Sequence, residues 1–86
     1  MALSRPQAFG EAVRQLRVER GNLSQEAAAL ACRVDRAYYG KIERGEKNPT
    51  LETIWKIANG FKAHPSDLLA RAERILKVGR RPGSRS

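Results

Sequence analysis

The chain has 86 residues, which suffice for one small domain and leave no room for a separate sensing or catalytic domain. Its 17 Lys and Arg residues outnumber 9 Asp and Glu, and the formal net charge of +8 favours an anionic partner, nucleic acid before an anionic membrane surface. The alternative, on charge alone, is a basic protein that is merely soluble. One Cys cannot form an internal disulfide, no apolar run nears the roughly 20 residues that span a bilayer, and the N-terminus lacks a signal-peptide core. We therefore expect a cytoplasmic protein without a membrane segment.

The first predicted helix follows a loose arm at residues 1–5. Pro6 suits the first turn of a helix, where its missing N–H costs nothing. Apolar residues then recur at helical spacing: Phe9, Ala12, Val13 and Leu16. Gly10 weakens the first turn somewhat, and Gly21 ends the helix.

Two short helices with a tight turn between them are predicted within residues 24–45. Ser24 and Asp35 are good N-caps, because their side chains can accept hydrogen bonds from the free N–H groups of a first helical turn. The inner faces carry apolar side chains: Ala28, Ala29 and Cys32 on the first helix, Tyr39 and Ile42 on the second. The outer face of the second helix carries small and basic residues: Arg36, Ala37, Gly40, Lys41 and Arg44. A short helix that is buried on one side and basic on the other can lie in the major groove of DNA.

Two further helices complete the predicted domain at residues 6–77. Thr50 caps the fourth, whose apolar positions recur at helical spacing: Leu51, Ile54, Trp55, Ile57 and Ala58. Pro65 occupies the first position of the fifth. The fifth helix has an apolar stripe: Leu68, Leu69, Ala72, Ile75 and Leu76. Residues 78–86 form a basic tail without apolar periodicity, which we expect to be disordered.

The region from Ser24 to Gly45 resembles the helix-turn-helix of Cro/phage-repressor-type (Xre-like) transcriptional regulators. The similar segments are Asp35-Arg36-Ala37-Tyr38, Ile42-Glu43-Arg44-Gly45, and Asn48 to Thr53 followed by Ile57-Ala58. The resemblance covers roughly residues 8 to 70 and extends to small single-domain regulators such as the controller proteins of restriction–modification systems. It implies an all-α, five-helix, lambda-repressor-like DNA-binding domain with a central helix-turn-helix.

The sequence departs from the family pattern at the turn and in the core. Arg33 stands where Gly is common; it either reaches a phosphate or simply lies on the surface, and a left-handed conformation there costs on the order of 1 kcal/mol. Ala28 replaces a usual Leu, which makes the core thinner. Leu30 and Tyr39 could compensate by packing elsewhere, and Tyr39 matches a core position of the family.

The resemblance also implies which side chains contact DNA. Gln25 would meet a backbone phosphate at the N-terminus of the second helix. Arg36 and Lys41 match base-facing positions, while the loop after the recognition helix grips the sugar–phosphate backbone. Tyr38 either contacts DNA or is partly buried in the core. The complete predicted set is Gln25, Arg36, Ala37, Tyr38, Gly40, Lys41, Arg44, Lys47 and Asn48; the alternative for the basic members is a solvated face.

Two structural contacts are predicted beside this DNA-binding set. Glu43 matches a position that pairs with an Arg of the first helix in the family, and Arg17 occupies the partner position. The apolar stripe of the fifth helix exceeds what a small core needs, and exposed patches of this kind mark interfaces. We expect a homodimer interface that includes Trp55, Leu69, Ile75 and Leu76, unless the stripe is fully used within one chain.

The sequence and the resemblance favour transcriptional regulation by sequence-specific binding of double-stranded DNA, as a homodimer on an operator with an inverted repeat. The alternatives are an antitoxin or protein-interaction subunit with the same fold, and a non-specific nucleic-acid binder. No enzymatic activity, cofactor or metal is expected, because His64 and Cys32 lie in different elements and no metal-ligand spacing or phosphate-binding loop is present.

Overall fold

Five α-helices follow one another along residues 2–79, the part of the chain that this computed structural model describes. They are α1 (Arg5–Glu19), α2 (Gln25–Cys32), α3 (Arg36–Glu43), α4 (Leu51–Gly60) and α5 (Pro65–Val78). Within these residues no strand is present. The predicted all-α, lambda-repressor-like architecture with a central helix-turn-helix is confirmed.

The helix starts are set by local capping. The side chains of Ser24, Asp35 and Thr50 each accept a hydrogen bond from the N–H three residues later, as predicted. Pro65 is the first residue of α5, also as predicted. Because these contacts lie within one turn, the sequence alone specifies them.

The ends of the domain differ from the predicted boundaries. Ser4 accepts from the Gln7 N–H, and the Gln7 side chain accepts from the Ser4 N–H, so a capping box starts α1 at Arg5. Leu3 packs against the core, so the last residues of the predicted arm 1–5 belong to the folded domain. At the other end α5 includes Val78, and residues 80–86 of the predicted tail lie outside the described residues.

The core is built from the inward faces of all five helices. Tyr39 and Phe61 are its largest fully buried side chains, and they supply the volume that Ala28 does not. The prediction that Tyr39 is a core residue is confirmed. The prediction that Leu30 packs elsewhere is wrong, because its side chain is 81% exposed. Leu30 follows the buried Ala28 and Ala29 by two and one positions, which turns it away from their face of α2.

Helix α1 crosses α3 at Gly10, which is buried against the backbone of the recognition helix. A Cβ atom at this position would lie 2.3 Å from the carbonyl oxygen of Ile42 and 2.5 Å from that of Glu43. The sequence-based view of Gly10 as only a weak point in the first turn is therefore incomplete. Its missing side chain allows α1 to approach the C-terminal end of α3.

The turn between α2 and α3 places Arg33 in the left-handed region, with φ 59° and ψ 42°. A Cβ is strained there, so we expect Arg33→Gly to raise the free energy of unfolding by up to about 1 kcal/mol. Urea denaturation measures the change. Lys56→Gly, at an exposed position inside α4, is the control and should instead lose about 1 kcal/mol. Equal losses in both variants would contradict the prediction.

Candidate nucleic-acid interface

Helix α3 has two chemically different faces. Tyr39 and Ile42 are fully buried on the inner face. Arg36, Ala37 and Lys41 are exposed on the outer face. The helix thus presents a cationic surface to solvent while its other side is fixed in the core.

The position of α3 is held by a hydrogen-bond network centred on the Glu43 carboxylate. Arg17 donates to it from Nε at 2.7 Å and from Nη2 at 3.0 Å. The Gln25 side-chain amide donates to the same carboxylate at 2.9 Å. Arg17 Nη1 donates to the carbonyl oxygen of Leu23 at 2.7 Å. One carboxylate therefore joins α1, the start of α2 and the end of α3, and the structure brings the predicted pair Arg17 and Glu43 together.

Burial and hydrogen bonding act on the Glu43 carboxylate in opposite directions. Burial alone would raise the pKa of Glu43, but the hydrogen bonds from Arg17 and Gln25 outweigh it and hold that pKa below its ordinary value. The Tyr39 hydroxyl lies beside the carboxylate and contributes to the lowering, although it does not reach full hydrogen-bond geometry with any residue in 2–79. Burial raises the pKa of Tyr39, so this hydroxyl stays protonated.

The predicted DNA-contacting residues differ in their accessibility to solvent. Arg36, Ala37, Lys41, Arg44, Lys47 and Asn48 are exposed. Tyr38 is partly buried and packs against the core, which agrees with the second of its two predicted roles. Gln25 is the first residue of α2, and its side chain is held by Glu43.

Gly40 is covered by its neighbours, although its sequence position is on the outer side of α3. A Cβ there would lie 3.1 Å from Nη1 of Arg44 and 3.4 Å from Oε1 of Gln25. In this conformation these two side chains cover Gly40, and its contact with DNA stays a prediction. Arg44 is itself bonded through Nε to Glu46 at 3.0 Å, an exposed pair that contributes little and leaves Arg44 available for a phosphate.

The apolar stripe of α5 is divided between the core and an open groove. Ile75 is 7% exposed and packs inside the single chain, which corrects its predicted place at an interface. Leu69 is 43% exposed, and together with Leu76 it lines a groove of about 700 Å³ between α1, the α3–α4 loop, α4 and α5. Trp55 and Leu51 are exposed on α4, one turn apart. The sequence pattern assigns Leu51 to the apolar positions of α4, whereas 70% of its surface is exposed.

Sequence reasoning missed a second buried acid. Glu11 on α1 is only 4% exposed. Its carboxylate accepts hydrogen bonds from Arg14: Nε donates to both oxygens at 3.1 Å, and Nη2 donates to Oε2. The Arg14 side chain itself is 43% exposed. Hydrogen bonding to Glu11 raises the pKa of Arg14, with burial acting against it. The only feature of the sequence that indicates this contact is the i, i+3 spacing of Glu11 and Arg14 on a helix.

Residues 2–79 contain no cluster of His, Cys, Asp or Glu that could hold a metal ion. Burial raises the pKa of the Cys32 thiol to about 11, so it is an inert core residue. None of the described helices has the length and apolar character needed to cross a membrane.

A family model and individual relatives place the chain in the same family. The helix-turn-helix family model HTH_3 matches residues 13–68. The chain is 44% identical over 61 residues to the control protein C.BamHI of Bacillus amyloliquefaciens, covering 71% of this chain and 75% of that protein. It is 38% identical over 66 residues to the control protein C.MunI of a Mycoplasma species, covering 77% of this chain and 89% of that one.

A solved structure agrees with these sequence relatives. The restriction-modification controller protein C.AhdI of Aeromonas hydrophila superposes with a TM-score of 0.69 at 40% identity, over 73% of this chain and 94% of that chain. Residues 13–68, which the family model matches, contain the helix-turn-helix and the polar network that positions α3. By fold, site and sequence, the chain belongs to the Xre-type helix-turn-helix family (HTH_3) of DNA-binding transcriptional regulators.

Proposed function

We propose that this protein binds a specific double-stranded DNA operator as a homodimer, with α3 in the major groove, and thereby controls transcription. The single observation that carries the proposal is the division of α3 into a buried, hydrogen-bonded face and an exposed face with Arg36 and Lys41. A recognition helix needs both properties, because base readout requires side chains held in a defined position. The names of its relatives, control proteins of restriction–modification systems among them, support a regulatory role.

The proposed contacts divide into two kinds. Arg36 and Lys41 lie where they can reach base edges, since Arg bonds well to O6 and N7 of guanine. Arg44, Lys47 and the first-turn N–H groups of α2 supply phosphate contacts, which determine affinity and register. An overall charge of +8 adds non-specific attraction to DNA.

Selection of bound sites from a random DNA pool tests the proposal. We expect an enriched inverted repeat whose half-sites are about one helical turn, or 34–36 Å, apart. A second measurement competes the labelled selected site with unlabelled random DNA and with RNA. If no sequence is enriched and both competitors displace the labelled DNA equally well, the protein is a non-specific nucleic-acid binder and the proposal is contradicted.

We expect Arg36→Ala to weaken operator binding by about 1–3 kcal/mol and to relax the preference at one base position. Affinities for the operator and its single-base variants measure this effect. Lys47→Ala is the matched control: it should weaken binding equally on all sequences and reduce the salt slope by about one phosphate. An unchanged preference at every position in Arg36→Ala would exclude direct readout by Arg36.

The groove beside α5 supports the dimer. Leu69 and Leu76 leave apolar surface on one chain, and Trp55 adds a half-exposed ring on α4. A domain of 86 residues has a small core, so burial against a second copy adds useful stability. We place Leu69, Leu76 and Trp55 at the two-fold interface and assign Ile75 to the core.

We expect Leu69→Glu to convert the dimer to a folded monomer, because it places a charge in the apolar interface. Sedimentation at tens of micromolar protein measures the oligomeric state, and circular dichroism shows whether the variant is folded. Leu30→Glu is the control, since Leu30 is exposed on α2 outside the groove, and it should remain dimeric. A wild-type monomer, or a dimeric Leu69→Glu variant, would refute the interface.

A further inference from the structure

A cleft of about 330 Å³ lies between the C-terminal end of α1, the α4–α5 loop and the first half of α5. Four cationic side chains and one acid line it, together with His64: Arg20, Lys62, Arg71, Arg74 and Asp67. None of its lining residues belongs to α2 or α3. We call it the α1–α5 cleft, and it is separate from the helix-turn-helix.

Two of the cations are fixed by hydrogen bonds to the protein. Arg71 donates to Glu19 through Nη1 at 2.6 Å and Nη2 at 3.0 Å, and to Gln15 at 3.1 Å. Arg20 donates from Nε to the carbonyl oxygen of Phe61 at 2.7 Å. These bonds hold both guanidinium groups at the wall of the cleft.

The other two cations are uncompensated. The side chains of Lys62 and Arg74 make no hydrogen bond or ion pair within residues 2–79, and both residues are exposed. Asp67 and Glu19 together offset only two of the four positive charges around this space. Like charges gathered around a concavity repel one another, and a multiply charged anion between them relieves that repulsion.

We propose that the α1–α5 cleft binds a small polyphosphate or phosphate ester that carries two or more negative charges. Lys and Arg provide charge-assisted hydrogen bonds to phosphate oxygens from several directions. The cleft volume is near the lower end of the range of about 300–1,000 Å³ for small-molecule sites, which suits a compact ligand. Because the ligand touches α1, the loop and α5 together, its binding stabilises the packing of α5 on α1.

Thermal unfolding with sodium tripolyphosphate tests the proposal, with sodium chloride at the same ionic strength as reference. We expect millimolar tripolyphosphate to raise Tm of the wild type by about 4–8 °C. The double variant Lys62→Gln/Arg74→Gln should lose this rise. Lys56→Gln/Lys77→Gln removes the same charge at exposed sites outside the cleft and should retain it.

Isothermal titration calorimetry measures the affinity for tripolyphosphate directly. Arg74→Gln alone should raise Kd at least about tenfold, because it removes a charge-assisted contact. Two outcomes would overturn the proposal. An equal rise in Tm for both double variants would show general charge screening. A loss of operator affinity in the cleft variant, with a salt slope shallower than that of its control, would show that the cleft contacts DNA phosphates instead.

Discussion

Arg17→Met should lower the free energy of unfolding by about 3–5 kcal/mol, because it leaves the Glu43 carboxylate buried without its guanidinium partner. The side chains of Arg17 and Glu43 are only 16% and 4% exposed. The same change removes the hydrogen bond from Arg17 to the carbonyl oxygen of Leu23. Urea denaturation at neutral pH measures the loss.

A double-mutant cycle distinguishes coupling from separate effects. Replacing both partners, as Arg17→Met/Glu43→Leu, should cost less than the sum of the single changes, since no charge is then left buried. Glu46→Ala is the control: it breaks the Arg44–Glu46 pair, whose side chains are 54% and 52% exposed, and should cost at most about 1 kcal/mol. Additive losses in the cycle would refute the coupling.

The same network has a defined pH dependence. Because the folded-state pKa of Glu43 lies below its ordinary value of 4.5, the ionised carboxylate stabilises the fold fully above that pH. The stabilisation is lost as the pH falls through the folded-state pKa. The Arg17→Met/Glu43→Leu variant lacks this carboxylate, so its free energy of unfolding, measured by urea denaturation at decreasing pH, should fall less steeply than that of wild type.

Gly10→Ala should destabilise the domain by about 1–3 kcal/mol or more, although Ala is the better helix former by roughly 1 kcal/mol. The added Cβ would meet the carbonyl oxygens of Ile42 and Glu43 at 2.3 and 2.5 Å, well inside contact distance. Backbone atoms of a packed helix cannot move aside as a flexible side chain can. Relief of the overlap requires α1 and α3 to separate, which exposes core surface.

Gly40→Ala is the matched control for that prediction. It also lies inside a helix, but its Cβ would meet the end of the Arg44 side chain at 3.1 Å, and that side chain is free to move. We expect Gly40→Ala to be neutral or to stabilise by up to about 1 kcal/mol. A Gly10→Ala variant as stable as Gly40→Ala would contradict the close crossing of α1 and α3.

Local sequence determined where most helices begin and which face of α3 is basic. Ser24, Asp35 and Thr50 cap helices through contacts three residues away, and such short-range contacts are specified by neighbouring residues. The i, i+3 pattern of Tyr39 and Ile42 likewise determined the buried face of the recognition helix. Ser4 and Gln7 form a capping box of the same short range, with the pattern S-x-x-Q, so the start of α1 lies within the predicted arm 1–5.

Only the tertiary structure decided how those faces are used. Periodicity groups Leu69 and Ile75 on one stripe of α5, but the packing of neighbouring helices buries Ile75 and leaves Leu69 half exposed. The need for glycine at position 10 depends on carbonyl oxygens more than 30 residues away in the chain. The α1–α5 cleft likewise gathers its cations from three separate elements. A sequence pattern reports which side chains share a face, whereas the approach of distant segments determines what covers that face.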